Sequence, residues 1–143
     1  MARVPLLQLS DIALTFGGDP VFDRLDLVIQ PGERLALVGR NGSGKSTLLN
    51  AVAGSFSVDS GSLHLSGHNI TRWPEHRRAK LIGRVFQNPF SGTAPSMSIA
   101  ENLALAARRG RSRGLGSALD SSVREELRGR VRTLNMGLED RLD

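Results

Sequence analysis

The chain has no cysteine and no tyrosine. The first absence excludes disulfides and thiolate metal sites. The second leaves Trp73 and five Phe as the whole aromatic set, little material for a surface that stacks nucleic-acid bases. Lysine is scarce as well: only Lys45 and Lys80 stand beside seventeen Arg. No run approaches the ~18 apolar residues needed to cross a membrane. Residues 1–9 lack the long apolar run and small-residue cleavage site of a signal peptide. The expectation is therefore a cytoplasmic protein. With 143 residues, 39% hydrophobic and 23% charged, the composition is that of a soluble globular protein with room for one modest core, or for part of a larger domain. A net charge of +5 suits nucleic acid, anionic lipid or a phosphorylated ligand, and equally a solvated Arg-rich surface.

Strand signals come first. Leu7–Leu9 and Ile12–Phe16 are short apolar runs, and Gly17-Gly18-Asp19-Pro20 is a turn cluster. Leu25, Leu27 and Ile29 alternate with Asp26, Val28 and Gln30 as in a half-buried strand. After the Pro31-Gly32 turn, Arg34–Val38 reads as a buried parallel strand. Lys45–Ala53 predicts a helix stopped by Gly54. Ser62–Leu65 predicts another strand, Pro74 opens a short helix to Lys80, and Leu81–Gln87 is again strand-like. Asn88–Ser96 is a Pro/Gly/Ser loop. Ser98 and Glu101 have capping-box spacing and open a helix to about Arg109. Gly110–Gly116 reads as a basic linker. A last helix puts Val123, Leu127, Val131 and Leu134 on one face and ends at Asn135 or Gly137.

Gly39-Arg40-Asn41-Gly42-Ser43-Gly44-Lys45-Ser46 matches G-x-x-x-x-G-K-[ST], the P-loop or Walker A. Glycines let backbone N–H groups turn inward and phosphate come close. The helix that follows presents its positive end to the anion. Lys45 would reach the β- and γ-phosphates, and the Ser46 hydroxyl would ligate Mg²⁺. Random placement of these residue types gives about 0.003 matches in a chain of this composition, and the predicted strand before and helix after the motif supply its expected context.

The motif, with Pro31–Val38 before it, resembles the nucleotide-binding domain of ABC ATPases. The flanking segments agree: Asp59-Ser60-Gly61 before a strand, Gly83–Pro89 resembling the Q-loop around Gln87, and Met97–Leu103 resembling the start of the helical subdomain. The resemblance covers nearly the whole chain. It implies an α/β fold: a P-loop NTPase core with an N-terminal antiparallel β-subdomain and the start of a helical subdomain, truncated. Residues 1–97 would form the incomplete β-subdomain and core, and 98–143 the start of the helical part. It also implies ATP and Mg²⁺ as ligands. Phe16 would stack on adenine, or else be a core Phe of the β-region. Gly39, Arg40, Asn41, Gly42, Ser43, Gly44, Lys45, Ser46 and Thr47 would bind the phosphates and metal. Gln87 would help coordinate Mg²⁺ and the attacking water and link the site to a membrane partner, where an isolated Gln would be a polar strand cap.

Other residues carry less. His64, His68 and His76 lack metal-ligand spacing and read as surface histidines. Arg108, Arg109, Arg111 and Arg113 form a basic cluster that suits a solvated linker, with lipid head groups or RNA as the alternative. The family's signature loop, Walker B strand and switch His have no counterpart in the 143 residues, and Leu138-Glu139-Asp140 is no Walker B, because its acidic order is reversed and no apolar strand precedes it. The chain is thus expected to bind nucleotide without rapid turnover, and to expose sheet edges and apolar surface that make it poorly stable or aggregation-prone. The leading functional expectation is the ATP-binding part of an ABC transporter ATPase, more specifically an importer. Its partners would be permease subunits and a second ATP-binding subunit at the cytoplasmic face of the membrane, and nucleic acid is not among those expected. The alternatives are a soluble ABC-type ATPase acting on ribosomes or nucleic acid, and a nucleotide-binding fragment without turnover.

Overall fold

Leu9 and Ile12 are both fully buried, yet they stand three positions apart, an odd spacing that a regular strand would send to opposite faces. A bulge resolves the conflict. Asp11 takes φ 53°, the pairing register shifts between Leu9 and Ile12, and the Asp11 N–H donates to Asp26 Oδ1 at 2.8 Å. The two apolar runs at the start of the chain are therefore one strand, β1 (Leu7–Leu14), and Phe16 lies beyond its end.

The computed structural model describes residues 4–110 and 119–142. These fall into two compact units, Met1–Ile82 and Gly83–Asp143. In the first unit, β1 pairs antiparallel with β2 (Phe22–Ile29) on one side and with β3 (Ser60–Leu65) on the other. A two-residue strand, β4 (His68–Asn69), completes the sheet order β2-β1-β3-β4. Leu9, Ile12, Leu63, Leu65 and Ile70 form the core, with Leu48 of α1 (Lys45–Ala53) packed among them. Each such side chain withdrawn from water contributes about 1.5–3 kcal/mol, so Leu48 anchors the helix on the sheet. α1 begins and ends where the sequence predicts. At its C-terminus Gly54 adopts φ 88°, and the Gly54 and Ser55 N–H groups donate to Asn50 O at 2.9 and 3.0 Å. Pro74 precedes α2 (Glu75–Arg78) as its N-cap, in an extended conformation, one position earlier than a first-turn residue.

Two sequence expectations are corrected. Arg34–Val38 and Leu81–Gln87 belong to no strand of the sheet. Leu35, Val38 and Val85 are 53%, 92% and 98% exposed. Apolar patterning makes these runs fit for a parallel sheet, but a buried parallel strand needs hydrogen-bonding neighbours on both sides, and β1–β4 pair only with one another.

The second unit contains a 3₁₀ turn (Pro89–Ser91), α3 (Ile99–Ala107) and α4 (Ser121–Arg132). The capping box forms in full: Glu101 N–H donates to Ser98 Oγ at 3.2 Å, and Ser98 N–H donates to Glu101 Oε2 at 2.8 Å. Ala100, Val131 and Leu142 make a small core, and the Ala100 N–H, one of the unpaired donors of the first turn, donates to Leu142 O at 2.8 Å. Leu138–Leu142 is therefore packing material in this unit. Leu127 and Val131 are buried as expected, but Leu134 lies past the helix end and is exposed. Asn135 (φ 52°) and Gly137 (φ 64°) turn the chain there. Most of the Gly110–Gly116 linker, with Arg111 and Arg113, lies outside the described residues.

Candidate functional site

The loop Gly39–Gly44 leads into α1 through two residues in the left-handed region, Gly42 at φ 82° and Gly44 at φ 84°. Gly44 is also tightly surrounded. A Cβ there would come within 3.1 Å of both Phe22 Cε1 and Val21 Cγ1, so the loop sits directly on the start of β2. Having no side chain, Gly44 gives α1 no side-chain cap. The amides of Lys45, Ser46 and Thr47 precede the first intrahelical bond, from Leu48 N–H to Gly44 O at 2.8 Å. These amides and the helix dipole make the start of α1 electropositive.

Lys45 folds back over the loop. Its Nζ donates to the carbonyls of Gly39 (2.8 Å) and Arg40 (2.6 Å) and to Ser43 Oγ (3.3 Å). The ammonium is thereby held over the loop, bonded to neutral oxygens that an anion can replace with stronger, charge-assisted bonds. Asn41, Gly42, Gly44, Lys45, Ser46 and Thr47 line an open hollow of about 340 Å³. The predicted phosphate-binding residues are thus brought together: six line the hollow, and Gly39, Arg40 and Ser43 supply the oxygens that hold Lys45.

Phe16 is 65% exposed and is no core residue. Its ring meets Phe56 edge to face, with centroids 5.5 Å apart. The turn that carries it is pinned by Thr15 N–H donating to Asp59 Oδ2 at 2.7 Å and by Thr15 Oγ1 donating to Gly18 O at 3.0 Å. Val21, whose N–H closes the same turn on Leu14 O, lies where a side chain on Gly44 would point, so the Phe16 turn borders the glycine loop. Gln87 belongs to the second unit, exposed and outside any strand.

Sequence reasoning missed Arg78. It is 2% exposed, yet in sequence it is one of several Arg in a charged stretch. Its guanidinium donates to the carbonyls of Ala51 (2.7 Å), Val52 (3.0 Å), Trp73 (2.8 Å) and Thr71 (3.1 Å). Burial pushes its pKa below the usual value. The only available signal was its helical position beside Trp73. Neighbouring Arg77 stacks on that indole at 4.1 Å. The histidines are a partial correction. His68 is exposed, but Nδ1 of His64 is buried without a hydrogen-bond partner. Among the described residues no three His, Asp or Glu come together as a metal site, and no helix is long and apolar enough to cross a membrane.

Comparison with known proteins agrees with this geometry. The ABC transporter family model matches residues 22–142. A tyrosine transport ATP-binding protein of Clostridioides difficile is 39% identical over 119 residues, covering 80% of this chain and 47% of the relative. A ribose import ATP-binding protein of Rubrobacter xylanophilus is 35% identical, covering 96% of this chain and 26% of the relative. A spermidine/putrescine import ATP-binding protein of Shigella dysenteriae is 40% identical, covering 73% and 26%. The chain thus spans less than half the length of these curated relatives. A solved ATP-binding cassette of an ABC transporter superposes with a TM-score of 0.76 at 24% identity, over 99% of this chain and 57% of that one. A nucleotide-free cassette gives a TM-score of 0.73 at 23% identity, over 98% and 57%. A glycine loop seated on a strand start, an uncapped helix and a matching family model over most of the chain lead to one conclusion: the chain belongs to the ABC transporter family and has the fold of its ATP-binding cassette.

Proposed function

We propose that the chain is the nucleotide-binding front of an ABC transporter ATPase, in which ATP binding and hydrolysis drive substrate import through a membrane permease. The carrying observation is Lys45, held over an open loop by three neutral oxygens at the uncapped start of α1. Phosphate oxygens would take the Lys45 ammonium and the free amides of Lys45, Ser46 and Thr47, exchanging neutral partners for charged ones. Phe16 would receive the adenine ring on its exposed side. The Ser46 hydroxyl, on the first turn of α1 and lining the hollow, fits a divalent cation bound together with phosphate, and Gln87 is assigned as a second metal and water ligand by resemblance. Mg²⁺ when bound neutralises phosphate charge.

The relatives' names, import ATP-binding proteins, support import. A permease partner and a second ATP-binding subunit at the cytoplasmic face of the membrane are carried over from the family resemblance. Phosphoryl transfer also needs an oriented water and further charge around the phosphates. The 143 residues include no Walker B, signature loop or switch His. The chain tested alone should therefore bind nucleotide and release little phosphate. Calorimetric titration of the full chain with MgATP tests the reading. Lys45→Ala should weaken binding about 10- to 100-fold, the worth of a charged hydrogen-bonded contact. Equal binding by the variant and the parent would overturn it.

A further inference from the structure

Arg78 is the one charged side chain buried among the described residues, and each of the four acceptors that hold it is a neutral backbone carbonyl. Two of them, Ala51 and Val52, belong to the last turn of α1, whose final carbonyls have no partner within the helix. Trp73 and Thr71 lie in the segment between β4 and α2. The guanidinium fork therefore ties the end of α1 to the strand-connecting segment beside it. The fit is close, since a Cβ on Gly54 would stand 2.9 Å from Arg78 Nε.

The charge matters as much as the fork. A cation bonded to carbonyl dipoles is solvated by them but not cancelled, as it would be by a carboxylate. Its field reaches along α1 in part through the protein, which screens it less than water does. The far end of this nine-residue helix, about 13 Å away, is the phosphate loop. A cation at a helix C-terminus and an anion at its N-terminus are each favoured by the macrodipole, so both ends of α1 favour the same arrangement.

We infer that Arg78 is a positioning residue for the phosphate site: it clamps the C-terminal end of α1 and adds a buried positive charge behind the helix whose N-terminus receives the anion. This inference rests on the phosphate-loop reading above. Because the attraction scales with ligand charge, its loss should be larger for tripolyphosphate than for orthophosphate.

The experiment is calorimetric titration of the full chain with tripolyphosphate, pyrophosphate and orthophosphate, with folding followed by circular dichroism. Arg78→Met, which removes the charge, should weaken tripolyphosphate binding roughly tenfold and orthophosphate binding much less. Arg78→Lys keeps the charge but cannot reach four carbonyls. It should lower the melting temperature while holding tripolyphosphate affinity within about threefold of the parent. This second variant decides the matter if Arg78→Met does not fold. If Arg78→Lys loses tenfold or more, or if a folded Arg78→Met binds all three anions as the parent does, Arg78 is only a structural clamp and the inference is overturned. Lys45→Ala separates the two readings. If it binds tripolyphosphate as the parent does, the phosphate-loop reading falls and this inference with it. If it loses binding while Arg78→Met keeps it, this inference alone falls.

Discussion

Gly61 lies against the carbonyl of Asp11, the residue whose positive φ makes the bulge of β1. A Cβ on Gly61 would collide with that oxygen and stand 2.6 Å from Ser10 O. Gly61 also has φ 90°, a conformation that side chains resist. The bulge that brings Leu9 and Ile12 onto one face is therefore possible only with glycine opposite it. Gly61→Ala should destabilise the chain by at least about 2 kcal/mol, combining backbone strain with a clash against main chain. Urea denaturation of parent and variant measures this, and an unchanged midpoint would refute it.

Asn102 ties down the loop ahead of α3. Its Nδ2 donates to the carbonyls of Ala94 (3.0 Å), Met97 (3.2 Å) and Ser98 (3.0 Å), and its Oδ1 accepts from Ala94 N–H at 2.8 Å. Asn102→Asp replaces the donor with a carboxylate oxygen facing three carbonyls. It should cost about 1–3 kcal/mol and speed proteolysis between residues 88 and 98. Asn102→Ala, which removes the repulsion but also the bonds, should fall between the variant and the parent.

The start of α4 should be acid-sensitive. Asp120 accepts from Val123 N–H at 2.9 Å and from Ser122 Oγ at 2.7 Å. The Val123 bond first, and the Ser122 bond second, hold its carboxyl below the usual range. A carboxylate with a lowered folded-state pKa stabilises fully above its unfolded value, near 4, and loses that contribution as pH falls through the folded value. Asp120→Asn keeps an acceptor oxygen without a titrating charge. Helicity followed by circular dichroism from pH 6 to 2 should show a smaller acid loss in the variant. Identical acid profiles would refute the assignment.

Phe16 should act on the base and not on the phosphates. Phe16→Ala should weaken binding of ATP about three- to tenfold, the worth of one aromatic contact, and leave tripolyphosphate binding unchanged. Equal losses for both ligands would show that the turn, not the ring, was damaged.

Legibility followed sequence separation. The helix from Lys45 to Ala53, its Gly54 stop and the Ser98–Glu101 box were readable because each is decided by side chains and backbone within about four residues. The glycine loop was readable because its glycine spacing answers a local geometric demand, the two left-handed turns at Gly42 and Gly44. The apolar run Arg34–Val38 was misread for the opposite reason. Its pattern reports fitness for burial, and burial is decided by which strands pair with it.

The sequence by itself determined the glycine loop and the helix behind it, because short-range stereochemistry leaves those few residue types no other arrangement of comparable energy, and its motif order pointed to the family. Only the tertiary structure decided that β1 runs through a bulge permitted by a glycine fifty residues on, that Phe16 stands exposed against Phe56, and that Arg78 alone among the described charged residues is buried. Each of these depends on atoms contributed by segments distant in the chain. Buried charge in particular is tolerated only where several separate carbonyls converge, which no local pattern of residues reveals.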